Sequence, residues 1–267
     1  MDKYDYGEIL FLGPCNNHCY YCLGNEMPKA KMVDNMSTPY NELNNLDLFL
    51  DMMKEHGSDT IYLSSVRTEP LLYKDIDNLC DYLISKGFKI GIRTNGLCDN
   101  FYNILPKLNA EISISINSLE SNTNKKICRN EHVPDILSIL WRISELNKQC
   151  RISIVVNRYN YKEIEHIISL LSIYKCVSYI QLRKRYKYNK VIDNGLEEDR
   201  LRFDEVKLLI DKKHKKLPNF HESAVYDLGV HVSLWEDVFK KESIKTLNYF
   251  SDGKITENNL LVPSYEE

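Results

Sequence analysis

The chain has 267 residues, carries a formal charge of −3 and is 43% apolar, a globular composition rather than a disordered or fibrous one. The near-neutral balance argues against a dedicated nucleic-acid binder, which needs a basic excess to neutralise phosphates. The polar start MDKYDYGE lacks the basic and apolar regions of a secretory signal, and no apolar run reaches the ~18 residues of a spanning helix, so a cytoplasmic protein is expected.

Six short runs rich in Ile, Val or Tyr read as strands: 7–13, 60–66, 89–95, 111–117, 151–157 and 178–185. Helical patterns fill the gaps, at about 40–56, 74–87, 99–108, 134–148 and 161–175. The last is the clearest, because Ile164, Ile167, Ile168 and Leu171 recur at helical spacing among charged neighbours. Strands alternating with helices predict βαβ units and a parallel sheet. From 186 the pattern changes to a charged loop, a helix over 203–216, and short strands with a Ser-Asp-Gly turn at 251–253.

Within the strands, one parity is polar. In EISISIN the residues Ile112, Ile114 and Ile116 alternate with Ser113, Ser115 and Asn117, and the same parity gives Arg93, Asn95, Ser153, Asn157, Gln181 and Arg183 elsewhere. A polar sheet face suits a cavity that holds something polar, and its two arginines suggest an anionic ligand.

Eight cysteines are present, and three of them, Cys15, Cys19 and Cys22, crowd into the segment GPCNNHCYYCLG that follows the first strand. A disulfide framework would spread its cysteines along a short secreted chain. Three thiols in one loop, at the carboxyl end of a strand where α/β folds keep their sites, suit an iron–sulfur cluster. A four-iron cube held by three thiolates keeps one iron open. With His18, the same loop also offers four ligands of a type that zinc accepts.

The C-x3-C-x2-C spacing, with Tyr21 just before the last cysteine and a βα repeat after it, resembles the radical S-adenosylmethionine (radical SAM) superfamily over about residues 7–185. The resemblance implies an α/β fold, a partial (β/α)6 barrel of parallel strands. Residues 1–189 would form that core, and 190–267 a short α+β elaboration of the same domain. It implies that Cys15, Cys19 and Cys22 bind a [4Fe-4S] cluster whose open iron takes SAM, with Tyr21 near the adenine. Glu69-Pro70 stands where the family's Gly-Gly-Glu-Pro segment receives the SAM amino group, with Arg67 and Thr68 in place of the glycines. Thr94-Asn95-Gly96 is similar to the family's Thr-Asn-Gly. Asn95, Ser115, Asn117, Asn157 and Arg183 are then further candidates for SAM or its substrate.

Reductive cleavage of SAM to a 5'-deoxyadenosyl radical, followed by hydrogen abstraction from a small, anionic metabolite, is the activity so implied. An electron donor such as a flavodoxin or ferredoxin would be its partner. Action on a peptide or protein, including glycyl-radical activation, is the alternative, and a non-catalytic zinc or iron–sulfur protein is another. No cysteine follows Cys176, so a cysteine-rich C-terminal extension for auxiliary clusters is not expected.

Overall fold

The computed structural model describes residues 3–22, 24, 33–65, 67–186, 195–220, 223–236 and 244–257. In chain order the elements are β1 (Tyr6–Phe11), α1 (Leu46–Glu55), β2 (Thr60–Ser65), α2 (Ile76–Ser85), β3 (Lys89–Thr94), α3 (Asn100–Ile104), β4 (Ile112–Ser115), α4 (Ser121–Cys128) and α5 (Ile136–Glu145). They continue with β5 (Cys150–Val156), α6 (Ile164–Leu171), β6 (Val177–Lys184), α7 (Leu196–Lys213), β7 (Lys215–Phe220), β8 (Ser223–Asp227), β9 (His231–Trp235), β10 (Thr246–Phe250) and β11 (Ile255–Thr256). Two compact units result, one of Met1–Asn16, Cys22–Ile112 and Lys241–Glu267, the other of Asn17–Tyr21 and Ser113–Lys240.

In the first unit the strand order is β11-β10-β1-β2-β3. All pairs are parallel except β10–β11, which closes the hairpin predicted at 251–253. Ile9, Phe11, Leu63, Ile90 and Ile92 are buried, as are Phe49, Leu50 and Met53 of α1, Leu79 and Leu83 of α2, and Phe101 and Ile104 of α3. Phe11 stacks on Tyr73 with ring centroids 4.7 Å apart.

The second unit runs β4-β5-β6-β9-β8-β7. Its β5–β6 and β6–β9 pairs are parallel, and β9–β8 and β8–β7 antiparallel. The predicted stripe of α6 is buried at all four positions, beside Ile139, Leu140 and Ile143 of α5. The chain thus has the α/β fold that its sequence predicts, mostly parallel with antiparallel strands toward the C-terminus. Among the described residues no helix is long and apolar enough to cross a membrane.

Helix α4 falls where no element is predicted, and two further elements differ from expectation. Helix α7 starts at Leu196 and ends at Lys213, and the last two positions of the predicted helix, Lys215 and Lys216, belong to the strand Lys215–Phe220. The acidic first turn, Glu197, Glu198 and Asp199, reads as a charged loop by composition, yet acidic residues suit a helix N-terminus. Strand β7 is almost wholly exposed and contains Pro218, so it carries neither strand periodicity nor an apolar face and forms by pairing with β8. Residues 187–194 of the predicted loop, Val66 of the second strand run and the tail from 258 lie outside the described residues.

A glycine sets the packing of the first sheet. Gly91 pairs with Tyr62, whose ring lies where a side chain on Gly91 would sit. An added Cβ would come within 2.3 Å of that ring and 2.6 Å of the Glu111 carbonyl oxygen. Gly91→Ala is therefore expected to cost about 1–3 kcal/mol through overpacking, as read by urea denaturation. An unchanged midpoint and slope would show that the ring yields freely.

Candidate cofactor-binding loop and its supports

The cysteine loop leaves β1 through Leu12, whose backbone exchanges two hydrogen bonds with Asn35: Leu12 N–H to Oδ1 at 3.1 Å and Asn35 N–H to the Leu12 carbonyl at 3.2 Å. In the first unit, Thr68 Oγ1 donates to the Pro14 carbonyl. Asn95 Nδ2 donates to Asn16 Oδ1 at 2.8 Å, and Asn16 Nδ2 donates to the Leu97 carbonyl at 2.5 Å. Thr68 and Asn95, which the family resemblance assigns to SAM, thus brace the start of the loop.

Glu69 organises these strand ends. Its Oε1 accepts from Thr94 Oγ1 at 2.6 Å and from Leu71 N–H at 3.2 Å, and its Oε2 from Asn95 N–H at 2.7 Å. The Thr-Asn-Gly turn is completed by Gly96 N–H on Thr94 Oγ1 and Leu97 N–H on Asn95 Oδ1, with Gly96 at φ 72, a conformation that favours glycine. Burial pushes the Glu69 carboxyl up to about 7, against the opposing pull of its three donors. A carboxylate has about four acceptor positions, so three donors leave room for one more.

In the second unit, the middle of the loop sits on the end of α4. His18 N–H donates to the Cys128 carbonyl at 2.8 Å and Tyr20 N–H to the Ile127 carbonyl at 3.1 Å. These are carbonyls that a helix C-terminus leaves without intrahelical partners. Asn130 Nδ2 donates to Asn17 Oδ1 at 2.9 Å.

Tyr20 O–H donates to Asp199 Oδ2 at 3.0 Å, and Asp199 is wholly buried. Asp199 also accepts from Arg185 Nη1 at 2.8 Å and from the Arg158 amide at 2.9 Å, while both guanidinium groups flank the Tyr20 ring at 5.1 and 5.2 Å. Burial, reinforced by the Asp199 charge, holds the Tyr20 hydroxyl far above its ordinary range.

Tyr21 O–H donates to Asn117 Oδ1, and Asn117 Nδ2 donates to Cys128 Sγ at 3.1 Å. Cys128 Sγ donates to Asn124 Oδ1 at 3.3 Å, and hydrogen bonding from the Cys19 side chain holds the Cys128 thiol below its ordinary range. Asn117, Asn124, Cys128 and Tyr21 therefore form one polar chain that ends on Cys19.

The remaining sequence candidates divide. Ser115 is exposed at the end of β4. Asn157 is buried, and its amide is taken up by the Val155 carbonyl and the Tyr159 amide, so it shapes its own turn. Asn160, which the sequence does not single out, ties that turn to the segment after β4 by donating to the Asn117 carbonyl at 2.7 Å. Arg183 Nε donates to Gln181 Oε1 at 2.7 Å and lies over the Trp235 ring. Gln181 is fully buried, and its Nε2 has no hydrogen-bond partner among the described residues. Arg93, taken from sequence as a hint of an anionic ligand, is already ion-paired with Glu8 and packs on Tyr6 and Tyr62, so its charge is balanced internally.

Cys15, Cys19 and Cys22 form no disulfide and are half-buried. Among the described residues no group of three or more His, Cys, Asp or Glu is assembled to hold a metal ion. The donor chemistry nonetheless fits an iron–sulfur cluster, because three soft thiols on one loop are what such a cluster takes.

With this geometry established, comparison identifies the class. The chain belongs to the radical SAM superfamily, whose family model matches residues 9–171. Members of that superfamily are enzymes that use a [4Fe-4S] cluster and SAM. Among solved structures, SuiB of Streptococcus suis bound to S-adenosylmethionine matches at TM-score 0.67 and 16% identity, over 100% of this chain and 64% of that one. SuiB bound to its precursor peptide SuiA matches at TM-score 0.66 and 18% identity, over 98% and 60%. Coproporphyrinogen III oxidase (HemN) of Escherichia coli, a radical SAM enzyme, matches at TM-score 0.53 and 11% identity, over 80% and 54%. At these identities the likeness is one of fold, and the chain spans less than two thirds of the length of each. A search of curated proteins finds no match.

The Glu69 carboxyl gives a pH prediction for the metal-free chain. Its folded value, about 7, lies above the ordinary 4.5. Between those values the folded state holds the extra proton, so stability falls as pH rises through that window. Glu69→Gln removes this dependence. Between pH 5 and 8 the wild type is expected to lose about 2–3 kcal/mol more than the variant in urea denaturation. Equal losses would mean that the carboxyl is not held in a dry site.

Proposed function

We propose that the chain cleaves SAM reductively at a [4Fe-4S] cluster held by Cys15, Cys19 and Cys22, and uses the resulting radical on an anionic organic substrate. The observation that carries this reading is the C-x3-C-x2-C loop after β1, in a chain of the radical SAM superfamily, with its backbone tied to α4 on both sides of Cys19. When bound, the cluster held by Cys15, Cys19 and Cys22 would supply the electron for cleavage of SAM, and so the chemistry of radical hydrogen abstraction. An external donor such as a flavodoxin or ferredoxin provides that electron, and a reducing, cytoplasmic setting keeps the three thiols available.

The chain's own residues bind and orient. In the first unit, Glu69 uses its remaining acceptor position for the ammonium group of SAM, while Thr68 and Asn95 keep the loop and the turn beside it in place. A cation next to the buried carboxylate lowers its proton affinity, so Glu69 is ionised when SAM is bound. In the second unit, Asn117 holds the Tyr21 hydroxyl and so orients that ring for the adenine. Ser115 offers an exposed hydroxyl, and Asn157 keeps the end of β5 in shape. Arg183, lying over Trp235, carries the charge for an anionic substrate group.

Residues 190–267 extend the core of 1–189 rather than forming a separate domain. Support comes from the pairing of β9 with β6 and of β10 with β1.

A peptide or protein substrate is the second reading. It is favoured by the peptide-bound SuiB structure, whose fold this chain shares over 98% of its length.

Anaerobic reconstitution with iron and sulfide tests the activity. The wild type, given dithionite and SAM, is expected to form 5'-deoxyadenosine, and Cys19→Ala is expected to form at least 100-fold less, on the order of the loss of an essential catalytic group. A colourless protein that holds one zinc ion and leaves SAM intact would contradict the proposal.

A further inference from the structure

Gln181 is fully buried on β6, and only one side of its amide is used. Its Oε1 accepts from Arg183 Nε at 2.7 Å, while its Nε2 has no hydrogen-bond partner among the described residues. The chemistry fixes this orientation, because a guanidinium only donates and the amide must turn its oxygen toward it. A buried N–H without an acceptor is costly, and an apolar residue of the same size would avoid that cost. The amide therefore serves the arginine beside it rather than the stability of the sheet.

The second unit supplies the rest of the mount. Residues 181 and 183 share one face of β6, because side chains alternate along a strand. The register places Ser153 and Ser233 beside Gln181, and Val155 and Trp235 beside Arg183. Trp235 is buried and donates from Nε1 to Ser233 Oγ at 3.0 Å, which fixes its ring, and the Arg183 guanidinium lies 5.9 Å from the ring centroid. The guanidinium is thus held at Nε by an amide and set beside a fixed indole, at the carboxyl end of β6 where α/β folds keep their sites. A ligand then meets it through its two terminal nitrogens, a pair of donors that suits a planar carboxylate better than a single-atom anion. The two cations that follow in sequence are engaged elsewhere, Lys184 by Asp204 at 2.6 Å and Arg185 by Asp199 at 2.8 Å. Among the described residues, the second charge of a phosphate goes unmatched at this end of β6.

We infer that Gln181 is a positioning residue that aims the Arg183 guanidinium, and that the subsite so formed selects a substrate bearing a carboxylate. The inference rests on the reading of Arg183 as the carrier of charge for an anionic substrate group, and it narrows that group to one chemical class. Gln181 acts through Arg183 and does not itself touch the substrate.

Trp235 reports on the subsite by its fluorescence. The chain has two tryptophans, and the other, Trp141, is 60% exposed on α5 and is removed as Trp141→Phe in every sample. The full-length chain is titrated with propionate, chloride and inorganic phosphate at matched ionic strength. Propionate is expected to give a saturable change, with an affinity about 10-fold above that for either other anion. Gln181→Met, of similar length but without the amide acceptor, is expected to bind propionate about 10-fold more weakly, with its chloride response that of the otherwise unaltered chain. General loosening of the sheet would weaken both anions alike, so an equal loss for both overturns the inference, as does an unchanged affinity for propionate. If Gln181→Met fails to fold, Gln181→Glu decides: a carboxylate in place of the amide occupies Arg183, so the propionate response is expected to vanish, and a retained response overturns the inference. Tighter binding of phosphate than of propionate overturns the carboxylate assignment. A chain with Gln181 intact that responds to none of the anions overturns the reading of Arg183 and the inference with it, whereas selection of propionate that Gln181→Met leaves untouched overturns the inference alone.

Discussion

The end of a helix leaves carbonyl groups with no partner in the helix, and a loop rich in polar residues leaves amides with none. In this chain the two shortages meet: α4 ends on Ile127 and Cys128, and their carbonyls accept the amides of Tyr20 and His18. The middle of the cysteine loop is thereby held to a regular element instead of depending on its own short sequence. Arg129 follows in the left-handed region, at φ 51, and turns the chain away so that those carbonyls stay open to the loop. The Tyr21–Asn117–Cys128 chain and the Cys19 contact depend on that docking, because each spans the loop and the strand or helix beneath it.

The other supports obey the same economy of buried polar groups. Asp199 would be a costly wholly buried carboxylate if it stood alone, but Arg185, the Arg158 amide and Tyr20 share its charge and lone pairs. Glu69 is a different balance. Three donors hold it, yet among the described residues no cation pairs with it, and burial outweighs the donors. A group so placed favours the arrival of a cation, and an ammonium is the cation that the proposed cofactor carries. Loop bracing and ligand binding draw on the same strand ends, which explains how Thr68 and Asn95 can stand in family positions and still have structural partners.

Much of this was legible in the sequence, for identifiable reasons. Strand β5 is read at 151–157 and found at Cys150–Val156 because Ile and Val crowd between a polar start and an Asn end. The four-residue stripe of α6 is apolar, helical in period and buried throughout. The cysteine loop announces itself by spacing alone. Helix α4, in contrast, reads SNTNKKIC, and of its residues only Asn124, Ile127 and Cys128 are buried. With one strongly apolar residue it has no hydrophobic period to detect, although it carries the contacts that hold the loop. Asp199 was hidden among acidic residues, and its partners Tyr20, Arg158 and Arg185 are brought to it only by tertiary folding. Arg93 misleads as an isolated residue because Glu8, which balances it, sits on a different strand.

The docking of the loop on α4 is open to direct measurement in the metal-free chain by residue-resolved amide hydrogen exchange. If the Ile127 and Cys128 carbonyls hold the loop, the amides of Tyr20 and His18 exchange far more slowly than in an unstructured peptide, at rates that track those of the last turn of α4. Exchange of both amides at the unstructured rate, with α4 itself protected, would show that the loop is not anchored there, and the support assigned to Cys19 would fall with it.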